Sequence, residues 1–391
     1  MFSTDDLNPS DEGYAVEVVE RLLRHARAAR ASDVHVALRT QMVYLRMRVD
    51  GRLVEVGQLP EGQRSGILSR LKAMAGLATY VRTVPQEGRL VERKLGIDAR
   101  VVCLPTVFGE RLVLRLAAPT AHPWQITDLG LPASVTQRLD AALQQRAGVI
   151  LITGPAGSGK TTTAYACLRS ILARDTTASV VTLEDPVEQT IPQADQAQID
   201  THSGFTWTEG LRAILRQDAE VLMIGEVRDS ETAKVIFQAA LTGQQVVATL
   251  HARSAVAALR RLIDLDVSPH HLLACLELLI NQRLLPRCCD CRSTSAEGTE
   301  TQQVPSHVGR AAQGQPVATC SFCHGTGIAG RVVLAEVLPV LDGPLAADVM
   351  EVADTRRMLA TCQAVGMQTI EELVADAVQR RIVSPLLPWE A

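Results

Sequence analysis

Between Gly13 and Ala117 the apolar residues change their period several times. Val16, Val19, Leu22, Leu23 and Ala26 recur at helical spacing and predict an amphipathic helix that opens a folded unit. SDVHVAL then alternates as a strand does. MVYLRMRV and RLVEV flank Asp50-Gly51, a dipeptide that supplies the positive backbone angles of a tight hairpin turn. A helix over about Gln63 to Ala78 precedes three further strands, RLVERK, IDARVVCL and RLVLRL. This is the pattern of a small α+β domain. Pro119, Pro123 and Pro132 punctuate the linker that follows, with the boundary near residues 120–130.

From Gly148 continuous apolar runs replace the alternation. GVILITG, SVVTLED, EVLMIGE and QVVATLH are separated by helical stretches, one of them near Thr208 to Arg216. That order implies a parallel sheet with crossover helices. A cysteine-rich segment runs from Cys288 to about Arg331, and its polar stretch between Ser293 and Gln315 reads as a mobile loop. Leu345 to Arg381 reads as helical, and no internal repeat is visible.

A length of 391 residues agrees with two or three domains. With 39 Lys and Arg against 43 Asp and Glu, the chain lacks the basic footprint of a nucleic-acid binder. The start, MFSTDDLNPSDEG, has no basic segment followed by an apolar core, and no later run reaches membrane-spanning length. A cytoplasmic protein is therefore expected. In that compartment the nine cysteines read as thiols or metal ligands.

The motif richest in chemistry is GPAGSGKT, comprising Gly154, Pro155, Ala156, Gly157, Ser158, Gly159, Lys160 and Thr161, with Thr162 next on the helix. It lies between an apolar strand and a helix, as a phosphate-binding loop requires. Its glycines let backbone N–H groups face the phosphates of ATP, Lys160 reaches the β- and γ-phosphates, and Thr161 is the magnesium ligand. EVLMIGE delivers Glu226 to the same sheet edge, where a carboxylate polarises an attacking water; the plainer reading is an acidic residue that ends a strand. Glu184, Asp185 and Glu188 in TLEDPVE end the preceding strand and could order water or magnesium, or cap the next segment. His251 closes QVVATLH, again at the carboxyl end of the sheet, as a γ-phosphate sensor or a structural histidine. Cys288 and Cys291, 28 residues, then Cys320 and Cys323 offer four thiolates for a structural zinc ion, with four reduced cysteines as the alternative.

These residues resemble the secretion ATPase family called GspE, PulE or PilB, which drives type II secretion and type IV pilus assembly. ASDVHVALRTQMVYLRMRVDGRL resembles its second N-terminal domain, TLEDPVEQ its Asp box, LRQDAEVLMIGEVRDSETA its Walker B region and LTGQQVVATLHARSA its His box. The resemblance runs over about residues 14–385. It implies a RecA-like P-loop ATPase core with a smaller α+β, PAS-like N-terminal domain and a tetracysteine zinc subdomain. The expected divisions are a disordered start at 1–12, the N-terminal domain at 13–120, a linker at 121–132, the core at 133–283, the zinc subdomain at 284–335 and a helical end at 336–391.

The resemblance further implies a homohexamer with ATP bound between the two domains. Arg100 and Arg115 match the family's finger positions. The ring would sit at the cytoplasmic face of the inner membrane and act on platform proteins of a secretion or pilus machine, with pseudopilus assembly as the output. Pilus extension or DNA uptake is the alternative within the family. A nucleic-acid translocase is the rival from another class, disfavoured by the net charge of −4 and the 3% aromatic content. The chain departs from the family pattern at Gln244, where the His box usually opens with histidine, and at Ala252 and Arg253, which replace a Thr-Asn pair. An additional N-terminal docking domain is also missing from the match.

Overall fold

The computed structural model describes residues 4, 6–11, 13–39, 42–49, 51–60, 62, 64–116, 123–200, 203–289 and 327–383. Asp50 of the expected hairpin turn, the polar segment after Ser293, and Cys291, Cys320 and Cys323 lie outside these residues. The chain divides into two compact units, residues 1–122 and 123–391.

The first unit opens with α1 (Tyr14–Ala28), followed by β1 (Asp33–Arg39), β2 (Met42–Val49), β3 (Arg52–Pro60), α2 (Arg64–Met74), β4 (Gln86–Glu92), β5 (Ile97–Thr106) and β6 (Gly109–Leu116). The strands form one six-stranded antiparallel sheet in the order β3-β2-β1-β6-β5-β4. Alternation along β5 buries Ile97, Ala99, Val101 and Cys103 and turns Arg100, Val102 and Leu104 outward, so one face of the sheet is core and the other exposed. The apolar stripe of α1 that meets this core is Val18, Val19, Leu22, Leu23 and Ala26. Val16, expected on the stripe, is exposed because it lies at the angular edge of that set in the first turn. Asp6, upstream of α1, forms an ion pair with Arg21.

The second unit contains α3 (Ala133–Leu143), β7 (Gly148–Thr153), α4 (Lys160–Arg174), β8 (Val180–Glu184), β9 (Asp195–Gln198), α5 (Trp207–Ile214), β10 (Val221–Ile224), α6 (Ser230–Leu241) and β11 (Gln245–Leu250). It continues with α7 (Ala255–Asp264), α8 (Pro269–Cys275), β12 (Leu276–Cys288), β13 (Ile328–Val337), α9 (Gly343–Met350), α10 (Thr355–Ala364) and α11 (Ile370–Gln379). Its seven-stranded sheet has the order β13-β12-β7-β11-β10-β8-β9 and is parallel except for the β12–β13 pair. Every residue of β7, β10 and β11 is buried, because helices cover both faces of the sheet. Among the described residues the two largest core clusters of this unit lie on the two faces of the sheet. One packs α6 and α7 on one face, and the other packs α3 and α4 on the opposite face.

Candidate active site

Adjacent strands β7, β11 and β10 end at one edge of the second sheet, and the loops that leave them carry the candidate chemistry. The loop from β7 to α4 turns on glycines with positive φ, +145° at Gly154 and +88° at Gly159. A Cβ on Gly154 would lie 2.4 Å from the Gln282 carbonyl oxygen and 2.5 Å from Ser158 Oγ, so only glycine fits there. Lys160 begins α4 and is buried. Its Nζ donates to the Gly154 and Pro155 carbonyls at 3.0 and 2.9 Å. Burial lowers its pKa, and the carboxylates of Glu226 and Glu188 oppose that shift.

Gly225 N donates to the Leu183 carbonyl at 2.9 Å and Val227 N to the Thr249 carbonyl at 2.8 Å, so the turn that presents Glu226 is stitched to its neighbours on both sides. One oxygen of Glu226 lies 3.2 Å from His251 Nε2 and the other accepts from Arg228 Nε at 2.6 Å. The other ring nitrogen of His251, Nδ1, is 3.5 Å from Lys160 Nζ. Burial, and then the Lys160 charge, push the pKa of His251 below its usual value, which leaves the ring neutral at pH 7. The hydrogen-bond network assigns the proton to Nε2, donating to Glu226, with the Nδ1 lone pair toward Lys160. Lys160, His251, Glu226 and Arg228 thus form one continuous chain of contacts.

The Asp-box acidic residues separate by role. Glu188 stands beside the phosphate-binding loop, where it accepts a hydrogen bond from the Thr161 side chain. Burial and the nearby Glu184 raise its pKa, while Thr161 and Lys160 oppose the rise. Glu184 is buried and engaged by three donors, the Tyr165 hydroxyl, Thr182 Oγ1 at 2.7 Å and Gln196 Nε2 at 3.0 Å. It organises the turn and does not face the loop with a free oxygen. Asp185 lies 3.5 Å from Arg228. Gln244 precedes β11 and so lies at the opposite end of that strand from His251, roughly 20 Å away along six residues of strand. Its identity therefore does not reach the chemistry.

In the first unit, strand register places Arg89, Arg100, Arg115, Asp33 and Arg48 in one row across five strands. Arg100 and Arg115 are exposed and pair with Glu87 and Asp33. Of the expected zinc ligands only Cys288 is described, at the end of β12. There the Cys289 N–H donates to the Gly327 carbonyl at 2.9 Å, so residues 289 and 327 lie side by side. Among the described residues no group of three or more His, Cys, Asp or Glu side chains could hold a metal ion.

Arg228, Tyr165, Asn281, Gln282 and Arg283 also meet at this edge, although none was among the site residues expected from the motifs. The last three carried a visible signal, since NQR interrupts the apolar run of LLI and LL at the centre of β12.

Phosphate groups fit this edge. Gly154 leaves a cradle that a side chain would fill, Ser158 Oγ is buried without a hydrogen-bond partner among the described residues, and a lysine and a threonine flank the gap. Together with the parallel sheet, the site defines a P-loop ATPase of the RecA-like kind. The chain belongs to the type II/IV secretion system protein family, whose model matches residues 8–385. Over 94% of its length it is 36% identical to the type IV pilus assembly ATPase PilB of Thermus thermophilus, of which it spans 44%. Over 87% of its length it is 37% identical to type II secretion system protein E of Klebsiella pneumoniae, of which it spans 68%. The Legionella pneumophila ATPase DotB shares the fold at 22% identity, with a TM-score of 0.66 over 94% of this chain and 92% of that one. The pilus retraction motor PilT with bound ADP gives a TM-score of 0.55 at 22% identity over 91% and 96%.

Proposed function

We propose that this chain is an oligomeric motor subunit that couples ATP hydrolysis to pseudopilus assembly in type II secretion. The observation that carries the reading is the Lys160–His251–Glu226–Arg228 chain, which places a carboxylate beside the phosphate-binding loop with both oxygens oriented. Lys160 and the loop from Gly154 to Gly159 hold the triphosphate, with Thr162 following on the helix. Thr161 and Glu188 are the residues that would hold magnesium, which when bound neutralises phosphate charge. Glu226 accepts the proton of the attacking water. His251 senses the γ-phosphate end, because its Nδ1 approaches the lysine that binds there.

Arg100 and Arg115 serve the transferring phosphate in an assembled ring of six, where such a guanidinium is worth about 10³ to 10⁵ in rate. Among the described residues no helix is long and apolar enough to cross a membrane. By analogy with the family, the proposed ring works at the cytoplasmic face of the inner membrane on platform proteins of the secretion machine. Both type II secretion and pilus assembly ATPases are among its relatives, and pilus extension is the second reading. The two CxxC pairs are assigned to structural zinc from their spacing, and Cys289, next to Cys288, is hydrogen-bonded to Gly327.

Phosphate release per subunit, measured against protein concentration for the native chain and Arg115→Ala, tests the composite site. Specific activity that rises with concentration and is lost in the variant is expected. Concentration-independent activity that survives Arg115→Ala contradicts it.

A further inference from the structure

Strand β12 reads LELLINQRLLPRC, and the three polar residues at its centre are buried, with Asn281 fully so and Gln282 at 1% exposure. Burying such groups is unfavourable unless they are hydrogen-bonded. Their partners are the loops of the ATP site together with the end of β7 and the first turn of α4, the elements that flank the phosphate-binding loop.

Gln282 Nε2 donates to the Ser158 carbonyl at 2.8 Å, inside the phosphate-binding loop, and its Oε1 accepts from Thr163 Oγ1 at 3.1 Å, in the first turn of α4. The Gln282 carbonyl is also the atom a Cβ on Gly154 would strike at 2.4 Å. The start of the loop, its last turn and the helix behind it are therefore all referenced to one residue.

Alternation along the strand sends Asn281 and Arg283 to the opposite face. Asn281 Nδ2 donates to Thr153 Oγ1 at 2.9 Å and to the Ala252 carbonyl at 3.1 Å, and Arg283 Nη2 donates to the Arg253 carbonyl at 2.7 Å. Both contacts at 252 and 253 go to main-chain oxygens, so neither hydrogen bond depends on the side chain there.

We infer that Gln282 and Asn281 are positioning residues of the ATP site. Gln282 sets the phosphate-binding loop, and Asn281 sets the loop that carries His251. The inference rests on the ATPase reading of this site. A displacement of about 1 Å in either loop is enough to take donors or the sensor off their targets. The two roles predict different kinetic signatures, because one loop binds the diphosphate portion of the nucleotide and the other meets only the γ-phosphate end.

The test uses the full chain: ADP affinity and the KM and kcat for ATP are read well below unfolding, and the thermal midpoint is measured separately on the same variants. Gln282→Met preserves length and removes both bonds; it is expected to raise the ADP Kd and the ATP KM at least tenfold while kcat stays within threefold. Thr163→Val removes one of those bonds from the other partner and shows a weaker form of the same effect, which Thr163→Ser reverses. Asn281→Leu is expected to leave ADP affinity within threefold and lower kcat at least tenfold, with no further loss on adding His251→Ala.

Should Gln282→Met fail to fold, the Thr163 pair decides the matter. A lower midpoint with unchanged Kd, KM and kcat in the folded variants overturns the inference and leaves these residues as core hydrogen bonds. Identical signatures for Gln282→Met and Asn281→Leu also overturn it. A native chain that binds no ADP and releases no phosphate would instead refute the ATPase reading beneath it.

Discussion

Lys72 is a buried cation in the first unit, and replacing it with methionine tests how that unit is held. Its Nζ lies 2.6 Å from Glu110 Oε1 and 2.6 Å from the Val81 carbonyl, with side-chain exposures of 1% and 6% for the lysine and glutamate. The Cys103 thiol donates to the same carboxylate at 3.2 Å, and burial pushes its pKa up to about 11, so it is a neutral donor. Methionine keeps most of the lysine volume but leaves Glu110 as a charge without its cation.

Breaking a buried pair from one side costs about 3–5 kcal/mol. A domain of this size has a total stability of roughly 5–15 kcal/mol. Lys72→Met combined with Glu110→Leu removes the orphaned charge and returns most of the loss. Glu110 and Cys103 lie on β6 and β5, whose outward positions carry Arg115 and Arg100. Hydrogen exchange of α2, β5 and β6 in the intact chain reads the effect. The single variant should lower their opening free energy by about 3–5 kcal/mol, and the double variant should come within roughly 1.5 kcal/mol of native. A single-variant cost below about 1 kcal/mol, or a double variant as unstable as the single, would refute the reasoning.

Gly154→Ala places a methyl 2.4 Å from the Gln282 carbonyl at a φ of +145°, and should abolish nucleotide binding while the rest of the sheet stays folded; retention of native ADP affinity by calorimetry would contradict this. Glu336 is buried, and burial pushes its pKa up from 4.5 to about 7, with the backbone N–H groups of Ala255 and Ile370 opposing the rise only in part. The unfolded chain loses this proton first, so stability falls as pH rises from about 4.5 to about 7. Glu336→Gln removes that loss and should stabilise the protein by about 3 kcal/mol at pH 8, less at pH 5.5, in urea titrations. A gain independent of pH would show that the group is not desolvated. Tyr165→Phe removes the hydroxyl that accepts from Glu188 N at 3.0 Å and Gln189 N at 3.3 Å and donates to Glu184. It should raise the magnesium requirement for ATP turnover, whereas an unchanged magnesium titration would detach Tyr165 from the site.

The parallel core was legible because its central strands are unbroken apolar runs, and the phosphate-binding loop because glycine, lysine and threonine occur in a fixed order between strand and helix. Strand β9, DQAQ, was not, since a polar strand at a sheet edge has no apolar period to read. Nor was the division between Glu184 and Glu188. Their spacing is the same whether a carboxylate faces phosphate or a tyrosine on α4, and only the packing of Tyr165 separates them. Arg228 was hidden for a similar reason: two residues from Glu226, it reads as an ordinary surface charge until the turn folds it back on the carboxylate. The arginine row in the first unit depends on strand register, which the alternation within single strands does not specify.

The central claim is that Glu226, held between His251 and Arg228, activates the water that attacks ATP. Single-turnover hydrolysis with Glu226→Gln tests it most directly, alongside ATP affinity measured on the same protein. The account predicts affinity within a few-fold of native and hydrolysis slowed by about 10²- to 10⁴-fold. Hydrolysis within threefold of native by a variant that binds ATP normally would contradict it.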